Sequence, residues 1–356
     1  MENKFKNFHD MRFDSIQVLR GVTSLFIVLE HIRFLNCGAF GVDIFFCLSG
    51  FMIMFSTHKS TQYFLRKRLI RILPLYYLMT LGTYLLLLVF PHMFAQSKAN
   101  PVFLLKSLLF IPFDIGEGAL QPLMRVGWTV NCEIFFYLIF LLSFRISHKY
   151  RGLVCSALLS LVVAAAQLTQ TSFAPLAFYG NPVMLEFIFG ILAYYAARGL
   201  YQCHTAGKLP RICLPFSLAG IVVIFFTLLT TKPHIDILGF RRPLLWGLPA
   251  FLIVLCFFVW GLYAKKMPDS LVRLGNISFS LYLIHYYPVL FLDRLVFDFS
   301  APSPFALFGV AAAITVSVLL ACVSYSLIEK RFSDRLRDWL LRRCPQKHQE
   351  ERLQKH

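Results

Sequence analysis

Charge is what this sequence has least of. Only 15% of its 356 residues are Asp, Glu, Lys or Arg, where a soluble globular domain carries about a quarter. Acids are the scarcer kind, 18 against 35 Lys and Arg. With 58% hydrophobic residues and a mean hydropathy of +0.65, this excludes a soluble domain and leaves a polytopic membrane protein. Paired cysteines are missing too. The nine cysteines stand at 37, 47, 132, 155, 203, 213, 256, 322 and 344, with no CxxC pair and no metal-ligand spacing. Most fall inside apolar runs, where Cys behaves as a small hydrophobe. No disulfide framework and no metal site is expected. The opening "MENKFKNFHDMRFDSIQ" is polar and mixed in charge, unlike a cleavable signal peptide, so the first span is expected to act as an uncleaved signal-anchor. No internal repeat and no appended soluble domain is visible.

The apolar residues gather into runs of about 20, the length a bilayer requires. Ten spans are expected, at 17–35, 40–57, 72–91, 126–144, 152–170, 181–198, 212–230, 243–263, 276–295 and 304–328. The fold class is therefore all-α. A net charge of +17 would suggest nucleic acid in a soluble chain, but here the basic residues lie in short pieces between spans. With ten alternating spans, 27 of the 35 fall on the side of the N-terminus; the other 8 are Arg33, Lys98, Lys106, Arg125, Lys232, Arg241, Arg242 and Arg294. By the positive-inside rule both termini are cytoplasmic. The chain divides into a transmembrane domain, 1–332, and a basic tail, 333–356. The tail starts as an amphipathic helix suited to a membrane surface. The connection 91–125 carries "FLLKSLLFIPFD", too short to span and expected at the interface.

Ionisable groups inside spans are costly and raise functional questions by default. In "LRGVTSLFIVLEHIRF" (19–34), Arg20 and His31 are eleven residues apart. At 100° per residue this is about 20° short of three turns, so the two share a helix face about 16 Å apart along the axis. Glu30 is a candidate partner for His31 or Arg33. Asp43 opens the second span, beside Gly41. Arg68 and Arg71, three apart, share a face at the start of the third, and their guanidinium forks suit phosphate. Glu133 and Tyr137 share a face of the fourth span, which begins at Trp128, and Glu186 lies in the sixth. Ser278, Tyr282 and His285 form one stripe in the ninth. Each also has a structural reading: snorkelling or topogenic arginines, an interfacial Trp and Asp, buried polar pairs.

The ordered set "FDSIQVLRG", Arg20-x10-His31, "FGVDIFFCLSGFMI", "RLIRILPLYY", "GWTVNCEIFFY", "ISFSLYLIH" and "SLIEKRF" resembles the membrane-bound acyltransferase-3 family, from Asp14 to about Phe332. "QPLMRVGWTVNCEIFFY", "NPVMLEFIFG" and "RPLLWGLPA" resemble its exopolysaccharide-production branch, whose members O-acetylate surface polysaccharides. Cys132 stands where that branch often has tyrosine. The resemblance implies transfer of an acyl group, usually acetyl from acetyl-CoA, to a sugar hydroxyl in the inner (plasma) membrane, with no bound cofactor. It places the family's arginine–histidine pair on Arg20 and His31, its donor-linked R-x-x-R on Arg68 and Arg71, and its tryptophan-to-glutamate motif on Trp128 and Glu133.

On this reading His31, Arg20 and Glu133 are catalytic, with His31 as base, and Arg68 and Arg71 bind CoA phosphates. Asp43, Trp128, Tyr137, Tyr282 and His285 line the site or meet the acceptor. An acyl-enzyme on His31 is an open alternative to direct transfer. Expected partners are acetyl-CoA, a saccharide or lipid-linked saccharide, membrane lipids and proteins of polysaccharide assembly. A transporter or a non-catalytic export component is the competing class, and transporters often show internal repeats.

Overall fold

The computed structural model describes residues 7–58, 63–93, 99–115, 120–231, 239–264 and 266–342. The helices are α1 (Asp14–Glu30), α2 (Gly41–Ser56), α3 (Phe64–Val89), α4 (Pro101–Leu108), α5 (Trp128–Ile146), α6 (Arg151–Thr169), α7 (Ala174–Tyr179), α8 (Glu186–Thr205), α9 (Cys213–Thr231), α10 (Leu248–Tyr263), α11 (Asp269–Asn276), α12 (Ser278–Ile284), α13 (Tyr286–Leu292), α14 (Pro304–Ser324) and α15 (Ser333–Arg342). A two-residue antiparallel pair, β1 (Phe113–Asp114) and β2 (Leu120–Gln121), closes the connection before α5. Asn100 caps α4 by accepting the Val102 N–H, which makes the "FLLKSLLF" stretch a short helix of its own.

Each of the ten expected spans coincides with a helix or a chain of helical segments. Among the described residues, seven helices are long and apolar enough to cross a membrane: Phe64–Val89, Arg125–Ile146, Arg151–Thr169, Pro182–Thr205, Cys213–Thr230, Pro243–Tyr263 and Pro304–Trp339. The protein is a multi-pass, all-α membrane protein. The other three expected spans are the shorter or interrupted ones. α1 has 17 residues, α2 has 16, and the ninth breaks between α12 and α13 at His285. Pro288 accounts for that break: it has no N–H for the carbonyl of Ile284, and its ring crowds that carbonyl. These three segments carry Arg20, Asp43, Tyr282 and His285. Of the long helices, α3, α6, α9 and α14 take the outward positions, with Leu85 on α3 and Phe216 and Phe226 on α9 exposed, while α5 and α8 are more deeply buried.

Glycine sets how closely the inner helices approach. α2 and α8 cross at Gly50 and Gly190, where an added Cβ would sit 2.2 Å from the Phe187 carbonyl oxygen and 2.0 Å from that of Cys47, respectively. Small residues permit such backbone contact, and packing rather than the hydrophobic effect drives it inside a bilayer. α1 meets α11 in the same way, with a Cβ on Gly275 falling 2.0 Å from the carbonyl oxygen of Gln17. Further along, His31 meets His285, so α1 and the α11–α13 segment run in the same direction. The last helix continues through residue 332 by way of a π-helical stretch, Tyr325–Phe332, into α15. The Ser333 hydroxyl donates to the Ile70 carbonyl at 3.1 Å, which packs the start of α15 against α3. Residues 343–356 lie outside the described residues.

Candidate active site

α1, α2, α3, α5 and α12 enclose a cavity of about 900 Å³, part of it open to solvent. Three guanidinium groups line it: Arg20 from α1 and Arg68 and Arg71 from α3. Arg20 feels the charges of Arg71, Glu329 and Glu133. Arg68 donates to the Ser56 hydroxyl at 2.6 Å and lies over the Tyr137 ring, 5.8 Å from its centroid. One carboxylate, Glu133, lines the cavity with them. Glu133 accepts from the Ser49 hydroxyl at 2.9 Å and from the Tyr137 hydroxyl. Both hydroxyls donate to the same carboxylate oxygen, which fixes the Glu133 side chain in the cavity wall. Three guanidinium groups outnumber Glu133 in the lining and Glu329, which faces Arg20 and Arg71, so the cavity keeps a net positive charge suited to an anion. Much of the remaining lining is apolar or aromatic, including Phe45, Phe46 and Tyr282.

Tyr282 joins this cavity to a second group of polar residues. Its hydroxyl accepts from Thr129 at 2.7 Å and donates to the Val126 carbonyl at 3.0 Å. Its ring centroid is 6.0 Å from that of His285. His285 is fully buried, and its Nε2 is 3.1 Å from Nδ1 of His31. The last turn of α1 explains where His31 sits. The His31 N–H bonds to Val28, three residues back, which tightens the helix end and leaves the Ile27 carbonyl to the His31 ring, 3.0 Å from Nδ1. The turn beyond is held by Glu30, which accepts the N–H groups of Gly38 and Ala39 at 2.8 and 3.0 Å. Arg33 forks onto Asp293 with two 2.9 Å bonds and reaches Asp298 at 2.6 Å. The His31 end of α1 is thereby tied to the far end of the ninth segment.

A cationic cavity joined through one tyrosine to a histidine pair, inside a helical membrane bundle, suits a group transfer that draws an anionic donor. Residues 13–322 match the acyltransferase domain that defines the acyltransferase-3 family. The chain belongs to this family. It is similar to the exopolysaccharide production protein ExoZ of Rhizobium meliloti (strain 1021), with 28% identity over 82% of this chain and 89% of that one. It is 26% identical to the acyltransferase MdmB of Streptomyces mycarofaciens over 75% of this chain and 72% of that one. The O-acetyltransferase OatA of Staphylococcus aureus (strain NCTC 8325 / PS 47) matches at 24% identity over 87% of this chain, which spans 55% of OatA. No solved structure matches the chain. The protein is a membrane O-acyltransferase.

The acyltransferase fold sorts the residues singled out in the sequence into three places. Arg20, Arg68, Arg71, Glu133, Tyr137 and Tyr282 line the cavity. His31 and His285 pair beyond Tyr282 and do not line it. The shared helix face of Arg20 and His31 thus serves two neighbouring spaces, because the axial separation carries His31 past the cavity's aromatic wall. Asp43 and Trp128 lie elsewhere. Asp43 is fully buried and holds Arg242 through two bonds of 2.9 Å. Trp128 packs on Phe46 and under the same guanidinium, at 6.0 and 5.9 Å. Glu186, also fully buried, comes within 4.0 Å of Arg242.

Three participants were not singled out from the sequence. Ser49 looks like any small residue of an apolar helix. Arg242 opens the quoted "RPLLWGLPA" but reads there as one more loop charge. Glu329 accepts from Ser280 and faces Arg20 and Arg71; its place at the end of the last span gave no hint of that partner.

Proposed function

We propose that this acyltransferase transfers an acetyl group from acetyl-CoA to a hydroxyl of a surface-polysaccharide sugar or its lipid-linked precursor, in the inner (plasma) membrane with both termini cytoplasmic. The observation that carries this reading is the cavity with three guanidinium groups adjoining a histidine pair. CoA presents phosphates, and arginine forks bind phosphate bidentately. Arg68 and Arg71 hold those phosphates at the cytoplasmic mouth, and Arg20 orients the donor further in. The thioester arm extends along the aromatic wall toward Tyr282. The basic residues concentrated on the N-terminal side support that orientation.

His31 acts as the base. Its ring takes the proton of the acceptor hydroxyl as the oxygen attacks the thioester carbonyl; the C–S bond then breaks, and the departing thiolate takes a proton back. A thioester is already activated, so positioned acid–base catalysis, worth about 10²–10⁴-fold, suffices. The acceptor class is suggested by ExoZ and OatA, whose names concern exopolysaccharide and O-acetylation. The test is thiol release from acetyl-CoA by purified protein in detergent, with and without a polysaccharide acceptor. Release that depends on acceptor and vanishes in His31→Ala supports the reading. Acceptor-dependent release that persists in His31→Ala refutes His31 as the base.

A further inference from the structure

The two histidines constrain each other's hydrogens. A backbone carbonyl only accepts, and a neutral imidazole has one donor and one acceptor nitrogen. Nδ1 of His285 lies 3.1 Å from the Leu281 carbonyl, so that nitrogen carries the hydrogen and Nε2 of the neutral ring is a lone pair. Nδ1 of His31 lies 3.0 Å from the Ile27 carbonyl and 3.1 Å from Nε2 of His285. Both neighbours are acceptors, so Nδ1 of His31 carries its hydrogen and shares it between them. The proton-accepting nitrogen of His31 is then Nε2. A proton placed on His285 instead would set an N–H of one ring against the N–H of the other.

We propose that His285 is a positioning residue for acyl transfer: it holds His31 in the Nδ1–H tautomer, with Nε2 as the base, and accepts the Nδ1–H of the imidazolium while the acceptor's proton rests on His31. This rests on the reading of His31 as base. A carboxylate often orients a catalytic histidine; here a fully buried neutral imidazole has that place. A neutral partner brings no second charge into the bundle, where an unpaired carboxylate is expensive. The protein builds the arrangement with two backbone features. The tightened end of α1 releases the Ile27 carbonyl, and the break before Pro288 sets His285 at the junction of α12 and α13.

The tautomers can be read directly by long-range ¹H–¹⁵N correlation of ¹⁵N-histidine-labelled protein in detergent, with signals assigned by His31→Ala and His285→Phe. Nδ1–H forms of both rings in the wild type, and an Nε2–H form of His31 appearing in His285→Phe, support the proposal. An Nε2–H form of His31 in the wild type overturns it. Kinetics give the second arm. Glutamine carries an acceptor oxygen close to where Nε2 of His285 lies; phenylalanine carries none. His285→Gln is expected to keep at least a tenth of the wild-type kcat, while His285→Phe loses 100-fold or more with KM for acetyl-CoA little changed. Equal losses in two variants that melt like the wild type overturn the positioning role. The arms separate this proposal from the one beneath it. If His31→Ala keeps full activity, the base reading fails whatever the tautomers are; if His31→Ala is inactive and the tautomers are wrong, only the role of His285 fails.

Discussion

Arg242 grips both carboxylate oxygens of Asp43 at 2.9 Å, across 199 positions of chain. Neither side chain reaches solvent appreciably, at 4% and 0% exposure. The guanidinium also lies over the rings of Trp128 and Trp246. One ion pair thus ties the start of α2, the start of α5 and the π-helical turn before α10. Breaking a buried pair from one side strands a charge and costs about 3–5 kcal/mol, whereas removing both partners costs far less. Asp43→Asn is expected to lower the melting temperature in detergent sharply, and Asp43→Leu with Arg242→Met and Glu186→Gln, which removes the second carboxylate at Arg242 as well, to recover much of the loss. Equal melting of wild type and Asp43→Asn would show that the pair is not structural.

Arg71 and Arg68 line the cavity, and among the described residues neither is bonded to a carboxylate. Charge-assisted hydrogen bonds contribute about 1.5–3 kcal/mol each, or about ten- to a hundred-fold in affinity. Arg71→Gln is expected to raise KM for acetyl-CoA by that factor with kcat little changed. Initial rates at varied acetyl-CoA measure it. A fall in kcat with KM constant would move Arg71 from donor binding to the chemical step.

Ser49 and Tyr137 donate to the same oxygen of Glu133. Groups that share an acceptor are not independent, and coupling energies of about 0.5–3 kcal/mol are typical. Ser49→Ala and Tyr137→Phe are each expected to destabilise the protein, and their double variant to depart from the sum of the two. Calorimetric melting of the four proteins tests this; strict additivity would mean that the two hydroxyls do not act through Glu133.

α8 carries its own control for the α2 crossing. A Cβ on Gly190 would lie 2.0 Å from the Cys47 carbonyl oxygen, but one on Gly199 meets nothing within 4 Å. Gly199→Ala should gain up to about 1 kcal/mol from helix propensity. Gly190→Ala should lose stability, because backbone cannot yield as a flexible side chain does. Size-exclusion profiles and melting curves compare the two, and a harmless Gly190→Ala would mean that the helices are not locked at this crossing.

Much of this protein was legible in one dimension because the bilayer is a severe solvent. Backbone polar groups must pair within the segment, so apolar length alone implies helices, and basic residues report orientation. The spacing of Glu133 and Tyr137 predicted a shared face, and the helix delivers the bond. The break at His285 was less legible, since Pro288 inside an apolar run marks a kink but not the partner that the kink presents.

The sequence by itself determined the membrane class, the helical fold, the order of the segments and the family. Those depend on local composition and on motifs read along the chain. Only the tertiary structure decided that Asp43 serves Arg242 rather than the cavity, that Glu30 holds a turn, and that His31 faces His285 beyond the cavity lined by Arg20. Each of these pairings joins distant segments or a turn outside the helical repeat, and helical period carries no information about which neighbouring helix a side chain will meet.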